Sequence, residues 1–181
     1  MVKKDIYRYY GKEKLTFIEK LKIKKELKLI IAYRKAQYYN NYPIIKYYYR
    51  YKNIRANQKY LCQIPYTTKI GDGFYIGHAV GIIINPKAII GKNVNIAQGV
   101  TIGQENRGKR KGTPTIGDKV WIGANAVIVG KIKIGNDVLI APNSYINFDV
   151  PDHSIVLGNP GKIIYRENAT KGYINKIIEK E

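Results

Sequence analysis

Residues 115–146 read TIGDKV WIGANA VIVGKI KIGNDV LIAPNS YI, and isoleucine is the second residue of every group of six. The same spacing occurs upstream at Ile64, Ile70, Ile76 and Ile82, and again at Ile84, Ile90, Ile96 and Ile102. A period of six fits neither a helix of 3.6 residues per turn nor a hairpin array, but it is typical of a solenoid of short strands and tight turns. We therefore predict a coil whose isoleucines stack inside, with glycine, asparagine and aspartate at its corners.

The six-residue phase is interrupted twice. It slips by two residues between Ile82 and Ile84, which predicts a bulge or a widened corner. It breaks again across residues 103–115, where the polar sequence QENRGKRKGT (104–113) cannot form core. We predict that residues 103–115 form a loop extruded from the coil, and long loops on a rigid scaffold usually carry function.

Composition changes near residue 63. The chain of 181 residues has 32 Lys+Arg and 13 Asp+Glu, a net charge of +19. Residues 1–63 hold twelve of the seventeen tyrosines, a net charge of +13 and one glycine, Gly11. We predict three parts: a basic, mainly helical N-terminal region (1–63), the repeat domain (64–164) and a C-terminal tail (165–181).

Helices are predicted only outside the repeats. Apolar spacing indicates one helix at about 15–39 and a shorter one at about 43–53. The spacing of Tyr173, Ile174, Ile177 and Ile178 predicts a short helix in the tail. No apolar run is long enough to span a membrane and no secretion signal opens the chain, so a cytoplasmic location is expected, with the inner membrane face as an option.

Cysteine and histidine are scarce, which limits the chemistry. Cys62 is the one cysteine, so a disulfide framework and a CxxC site are excluded, and we expect it to be structural. The two histidines are His78, which follows a repeat glycine, and His153, expected to be structural. A zinc site with three histidines has too few ligands here, and no metal is expected.

The repeat motifs resemble the hexapeptide-repeat acyltransferases, which are left-handed parallel β-helices, and are most similar to the serine acetyltransferase branch. The resemblance covers residues 64 to about 164 and rests on KIGDG (69–73), GHAVGI (77–82), QGVTIG (98–103), VWIGA (120–124) and GNPGK (158–162). Residues DIYRYY (5–10) resemble proteins of bacterial surface-polysaccharide biosynthesis. The resemblance implies a homotrimer with active sites between neighbouring coils, acetyl-CoA as donor and a hydroxyl acceptor.

On this resemblance His78 takes the place of the catalytic histidine. Its chemistry is reasonable, since neutral imidazole has an ordinary pKa near 6.5 and can accept the proton of an attacking hydroxyl at cellular pH. Asn85, Glu105 and a backbone carbonyl remain open as the group that orients it. The resemblance implies coenzyme A contacts at Gly123, Ala124, Ala141, Gly158, Asn159 and Lys162. Candidate acceptor residues are Asp72, Asn85, Glu105, Arg107 and Thr113.

The chain also departs from the serine acetyltransferase pattern at three positions. Gly77 stands where that pattern has an acidic residue, Pro86 where it has glutamate, and Thr113 where it has a second histidine before a proline. A charged amino acid needs charged partners in its site. We therefore expect the acceptor to be a sugar of a bacterial surface polysaccharide or its precursor, with serine as the alternative. A non-catalytic scaffold that binds membrane or nucleic acid is the alternative from another class.

Three interpretations of residues 1–63 stay open. The region is a helical cap of the trimer, a segment that contacts anionic membrane lipid, or a nucleic-acid binder. Nucleic acid is the least favoured, because no RNP, KH or helix-turn-helix pattern is present.

Overall fold

The computed structural model describes residues 2–177. Four α-helices precede the repeats: α1 (Lys3–Tyr10), α2 (Phe17–Leu21), α3 (Lys25–Tyr38) and α4 (Ile45–Lys59), with a 3-10 turn at Tyr39–Asn41. The helix predicted at about 15–39 is therefore two helices separated at residues 22–24, and the second predicted helix runs to Lys59. None of the helices in the described part of the chain combines the length and apolar character that a bilayer crossing requires.

Fourteen short strands follow α4, and the first thirteen run parallel where they pair. They are β1 (Lys69–Ile70), β2 (Tyr75–Ile76), β3 (Ile83–Ile84), β4 (Ile89–Ile90), β5 (Asn95–Ile96), β6 (Thr101–Gly103), β7 (Thr115–Ile116), β8 (Trp121–Ile122), β9 (Val127–Val129), β10 (Lys133–Ile134), β11 (Val138–Ile140), β12 (Tyr145–Ile146), β13 (Ser154–Leu157) and β14 (Lys162–Tyr165). They form three sheets, ordered β1-β4-β7-β10, β2-β5-β8-β11-β13-β14 and β3-β6-β9-β12. From β1 to β12, successive strands visit the three sheets in turn, which is the architecture of the predicted left-handed parallel β-helix.

The isoleucine spacing becomes three stacked columns inside the coil. One column contains Ile76, Ile96, Ile122 and Ile140, which pair strand to strand and are at most 1% exposed. Regular coils are 18 residues long, as in Val127 pairing with Tyr145. The coil between Thr101 and Val127 is longer because it contains residues 103–115, where an antiparallel bridge joins Glu105 to Gly112.

Helix α1 packs on the first coil and covers its end. The DIYRYY motif at 5–10 therefore has a structural role that does not involve substrate binding. Asp5 and Arg34 form a buried ion pair of 2.8 Å, with side chains 1% and 6% exposed. Asp5 also accepts the Phe74 N–H (2.9 Å), and Arg34 donates to the Ile70 and Gly71 carbonyls. The motif therefore closes the open end of the solenoid, where backbone groups would otherwise lack partners.

The predicted tail helix is wrong over the described residues. After β14, which pairs antiparallel with β13, residues 167–174 form turns, and Ile178 lies outside the described residues. Asp137 accepts the backbone N–H groups of Ala169 and Thr170, and Arg8 donates to the Asn175 carbonyl. The tail thus runs back along the outside of the coil to α1. These hydrogen bonds to the coil and to α1 take the place of bonds within a helix, so residues 167–174 form turns.

Ile122→Ala is expected to lower the free energy of unfolding by about 2–5 kcal/mol, because it leaves a cavity in a fully buried column. Ile89→Ala is the matched control, since Ile89 is 43% exposed on its strand and should cost within about 0.5 kcal/mol. Urea unfolding followed by circular dichroism measures both. Equal losses would contradict the stacked-column description.

Candidate active site

His78 lies on the corner that joins β2 to β3. The neighbouring Ala79 points into the coil and is 3% exposed, whereas His78 and Val80 are exposed. The Val80 N–H donates to the His78 carbonyl (3.1 Å), and Gly81 has a φ of 67°, a left-handed value that glycine adopts without strain. This local sequence turns the imidazole outward.

The His78 ring borders an open cavity of about 340 Å³. Its other lining residues come from the same corner on later coils and from the outer face of the adjoining sheet: Tyr75, Gly77, Asn95, Ile96, Ala97, Gln98, Trp121, Ala124 and Pro142. None of these is Asp, Glu, Lys or Arg. Within one chain, the cleft therefore offers a titratable imidazole, amide side chains and aromatic rings, and no fixed charge.

One wall of this cleft packs against helix α1 and against the C-terminal tail. Tyr75, Asn95 and Trp121 occupy paired positions on successive strands. The Tyr9 ring lies 4.4 Å from that of Tyr75, and the Tyr173 ring lies 4.9 Å from that of Trp121. Asn95 accepts from Arg8 (2.6 Å) and donates to the Tyr173 carbonyl (3.2 Å).

Sequence reasoning missed this wall. Each of its members directly precedes an inward isoleucine, and alternation along a strand points such residues outward. The signal was therefore present in the six-residue repeat, because these three residues directly precede isoleucines of one stacked column.

In the described part of a single chain, no hydrogen bond or ion pair reaches the His78 ring. Asn85 donates to the Gln104 side chain (3.3 Å) and accepts the Lys87 N–H (2.9 Å). Glu105 accepts the Asn106 N–H (3.1 Å). Neither of the two side chains considered for orienting His78 does so within its own chain.

The remaining acceptor candidates also lie away from this cleft within one chain. Thr113 donates to the Lys87 carbonyl (3.1 Å). Glu105 and Arg107 line a separate cavity of about 350 Å³ beside the loop. Asp72 pairs with Lys4 of α1 at 3.4 Å. A single chain therefore does not bring these five residues together with His78, and their role as an acceptor site remains a prediction.

The candidate coenzyme A residues follow the His78 corner onto later coils. Ala124 lines the cleft, and a Cβ added at Gly123 would lie 2.6 Å from the Pro142 nitrogen, so the next coil approaches closely there. Ala141 donates its N–H to the Val156 carbonyl, and Gly158 donates to the Ser144 hydroxyl on the neighbouring coil. Asn159 and Lys162 are exposed at the last coil. Coenzyme A contact at these positions remains a prediction.

A larger cavity, of about 840 Å³, lies at a different corner under the tail and includes His153. The His153 Nδ1 is 2.9 Å from Asp137, whose carboxylate also accepts from Ala169 and Thr170. Burial raises the pKa of Asp137, but these hydrogen bonds outweigh burial and hold the pKa below its usual value. His153 and Asp137 therefore anchor the tail. The described residues contain no group of three or more His, Cys, Asp or Glu arranged to hold a metal.

Comparisons with known proteins place the repeats in one group. A family described as bacterial transferase hexapeptide (six repeats) matches residues 113–147. A serine acetyltransferase from Staphylococcus aureus is 41% identical over 104 residues, which are 58% of this chain and 49% of that protein. A Neisseria gonorrhoeae serine acetyltransferase solved in complex with serine superimposes with a TM-score of 0.72 and 30% identity, covering 90% of this chain and 67% of that one.

A serine acetyltransferase solved in complex with CoA is also similar, with a TM-score of 0.71 and 29% identity over 88% of this chain and 65% of that one. The chain spans about half the length of the curated relatives it matches. These relatives are named for serine acetylation, so they give no support to the expected resemblance to polysaccharide-modifying proteins.

Proposed function

Because the chain belongs to the hexapeptide-repeat transferases, we propose that it is an O-acetyltransferase that takes the acetyl group from acetyl-CoA and uses His78 as general base. The observation that carries the proposal is the outward imidazole of His78 at the mouth of an uncharged corner cleft. Solved relatives in complex with serine and with CoA support both the donor and the hydroxyl chemistry.

The reaction requires one proton transfer and one acyl transfer. The neutral imidazole accepts the hydroxyl proton as the acceptor oxygen attacks the thioester carbonyl, the C–S bond breaks, and the thiolate of coenzyme A leaves and takes up a proton. A positioned base contributes about 10²–10⁴ in rate, and the rest comes from orientation and from backbone N–H donors directed at the developing oxyanion. No covalent enzyme intermediate is needed, which agrees with Cys62 being 4% exposed.

L-Serine is the acceptor that we put first, because the relatives with matching repeats are named for it. A neutral sugar hydroxyl is the second candidate. Two observations favour it: no fixed charge lines the His78 cleft, and Gly77, Pro86 and Thr113 replace charged or titratable residues of the serine acetyltransferase pattern. The acceptor expected from the sequence alone, a surface-polysaccharide sugar, thus moves to second place.

The active form that we propose is a homotrimer. His78 has no orienting partner in the described residues of its own chain, and loop 103–115 lies at another corner of the coil. A neighbouring copy that brings its loop over the His78 cleft would supply Asn85, Glu105 or a carbonyl as the orienting group, and Arg107 and Thr113 as acceptor contacts.

We propose a cytoplasmic location, because the proposed donor, acetyl-CoA, is a metabolite of the cell interior. Among the described residues, the exposed surface of α4 is the feature that could contact the inner face of the membrane.

Acetyl-CoA with a hydroxyl acceptor is expected to release thiol above the background without acceptor. The measurement is a thiol-release assay across L-serine, free sugars, sugar nucleotides and oligosaccharides. Serine as the fastest acceptor supports the first candidate, whereas a sugar that outruns serine reverses the order. Absence of release with every acceptor would contradict the enzymatic proposal and favour the non-catalytic scaffold.

A further inference from the structure

Helix α4 and its N-cap residue, Ile44, carry an apolar stripe that faces away from the rest of the chain. Ile44, Tyr47, Tyr51 and Ile54 are spaced by three, four and three residues, which places them on one face of a helix. They are 85%, 63%, 57% and 54% exposed, and none of the described residues covers them. We call these four residues the tyrosine–isoleucine stripe.

The opposite face of α4 already has its partner. Helix α4 packs on α3, and Asn53, on the packed side, is 2% exposed. Asn57, four residues later on that side, donates its side-chain amide to the Ile64 carbonyl and accepts the Ile64 N–H, which ties the helix to the start of the repeats. The stripe is therefore not needed to hold α4 in place.

The surroundings of the stripe are strongly cationic. Residues 27–71 contain nine Lys or Arg and no Asp or Glu, and five of these cations lie on α4: Lys46, Arg50, Lys52, Arg55 and Lys59. The Lys46 ammonium lies 5.1 Å from the centre of the Tyr47 ring, and that of Lys52 lies 5.4 Å from the Tyr48 ring. Positive charge and exposed aromatic rings thus share one surface.

Charge decides which occupant this surface fits. A second copy of the chain would bring another strongly cationic face against the first, and like charges at close range are unfavourable. An anionic lipid bilayer supplies phosphate groups for the lysines and arginines, an interfacial layer that suits tyrosine, and hydrocarbon for isoleucine. The combination is that of a helix lying in the membrane interface.

We propose that the protein binds anionic membranes peripherally, with the tyrosine–isoleucine stripe of α4 against the lipid and its flanking Lys and Arg on the headgroups. This goes beyond acetyl transfer and does not depend on it.

The test is co-sedimentation of the full chain with two kinds of vesicle, pure phosphatidylcholine and an equal mixture of phosphatidylcholine and phosphatidylglycerol. We expect binding to the mixed vesicles alone, weaker as ionic strength rises toward about 0.15 M, where the screening length is about 8 Å. The double change Tyr47→Glu and Ile54→Glu should lower this binding by about tenfold or more.

The matched control is the double change Ile164→Glu and Tyr165→Glu on β14, which alters net charge equally at residues 52% and 71% exposed near the other end of the coil. Equal losses for both pairs would show attraction by net charge alone and overturn the proposal. No binding at low salt would also overturn it. So would a change of oligomeric state in the stripe variant, measured by light scattering, because the stripe would then be an interface between copies.

Discussion

Replacing His78 with alanine is expected to lower acetyl transfer by a factor of about 10²–10⁴, the usual contribution of a positioned general base. The substitution should leave the fold intact, because the side chain is exposed and makes no hydrogen bond to the described residues of its own chain. Acetyl-CoA should still bind, since the cleft is otherwise lined by neighbouring residues of the corner and the sheet. The measurement is steady-state thiol release with the best acceptor.

The matched control for this experiment is His153→Asn. His153 has a φ of 56°, and asparagine tolerates this left-handed conformation. It lies at another corner, paired with Asp137, so transfer should change little. If His78→Ala keeps more than about a tenth of the activity, His78 is not the base. If both variants lose activity equally, the loss reports a general disturbance of the fold.

Asp5→Ala is expected to lower the free energy of unfolding by about 3–5 kcal/mol, because it leaves the Arg34 guanidinium buried without its counter-ion. The loss also removes the acceptor of the buried Phe74 N–H. Helix α1 should lose its attachment to α3 and to the first coil in one step, since Asp5 bonds to Arg34 and to Phe74. Urea unfolding, monitored by circular dichroism and tyrosine fluorescence, measures the change.

Asp72→Ala is the matched control for Asp5→Ala. Asp72 pairs with Lys4 of the same helix, but both side chains are about half exposed, and exposed pairs contribute about 0–1 kcal/mol. Comparable losses for the two variants would contradict the claim that α1 is sealed to the coil by a buried ion pair.

The repeat domain was predictable because its rule is local. Six-residue spacing places Ile122 and Ile140 at equivalent points of successive coils, and Ile76 and Ile96 join the same column once the slip at residues 82–84 and the insertion at 103–115 are allowed for. A polar insertion between two repeats must leave the coil. His78 and Ala124 were also predictable as neighbours, since they occupy the same corner in that register.

The ends of the chain were not predictable because their contacts are remote in sequence. Asp5 finds Arg34 and Phe74, and Arg8 finds Asn95 and Asn175, over separations that no local pattern reveals. In the tail, helical spacing at Tyr173 and Ile174 was misleading. Asp137 captures the N–H groups of Ala169 and Thr170, and Tyr173 packs on Trp121.

The most direct test of the central claim is a crystal structure of the protein with coenzyme A bound. We predict a trimer with the coenzyme along the corner that carries His78, Ala124 and Gly158. Its sulfur end should leave room for one acceptor hydroxyl beside the His78 ring, with ~3–3.5 Å for the contact on each side of that hydroxyl. A coenzyme bound at another corner, or a His78 ring that no groove between protomers reaches, would contradict the proposed mechanism.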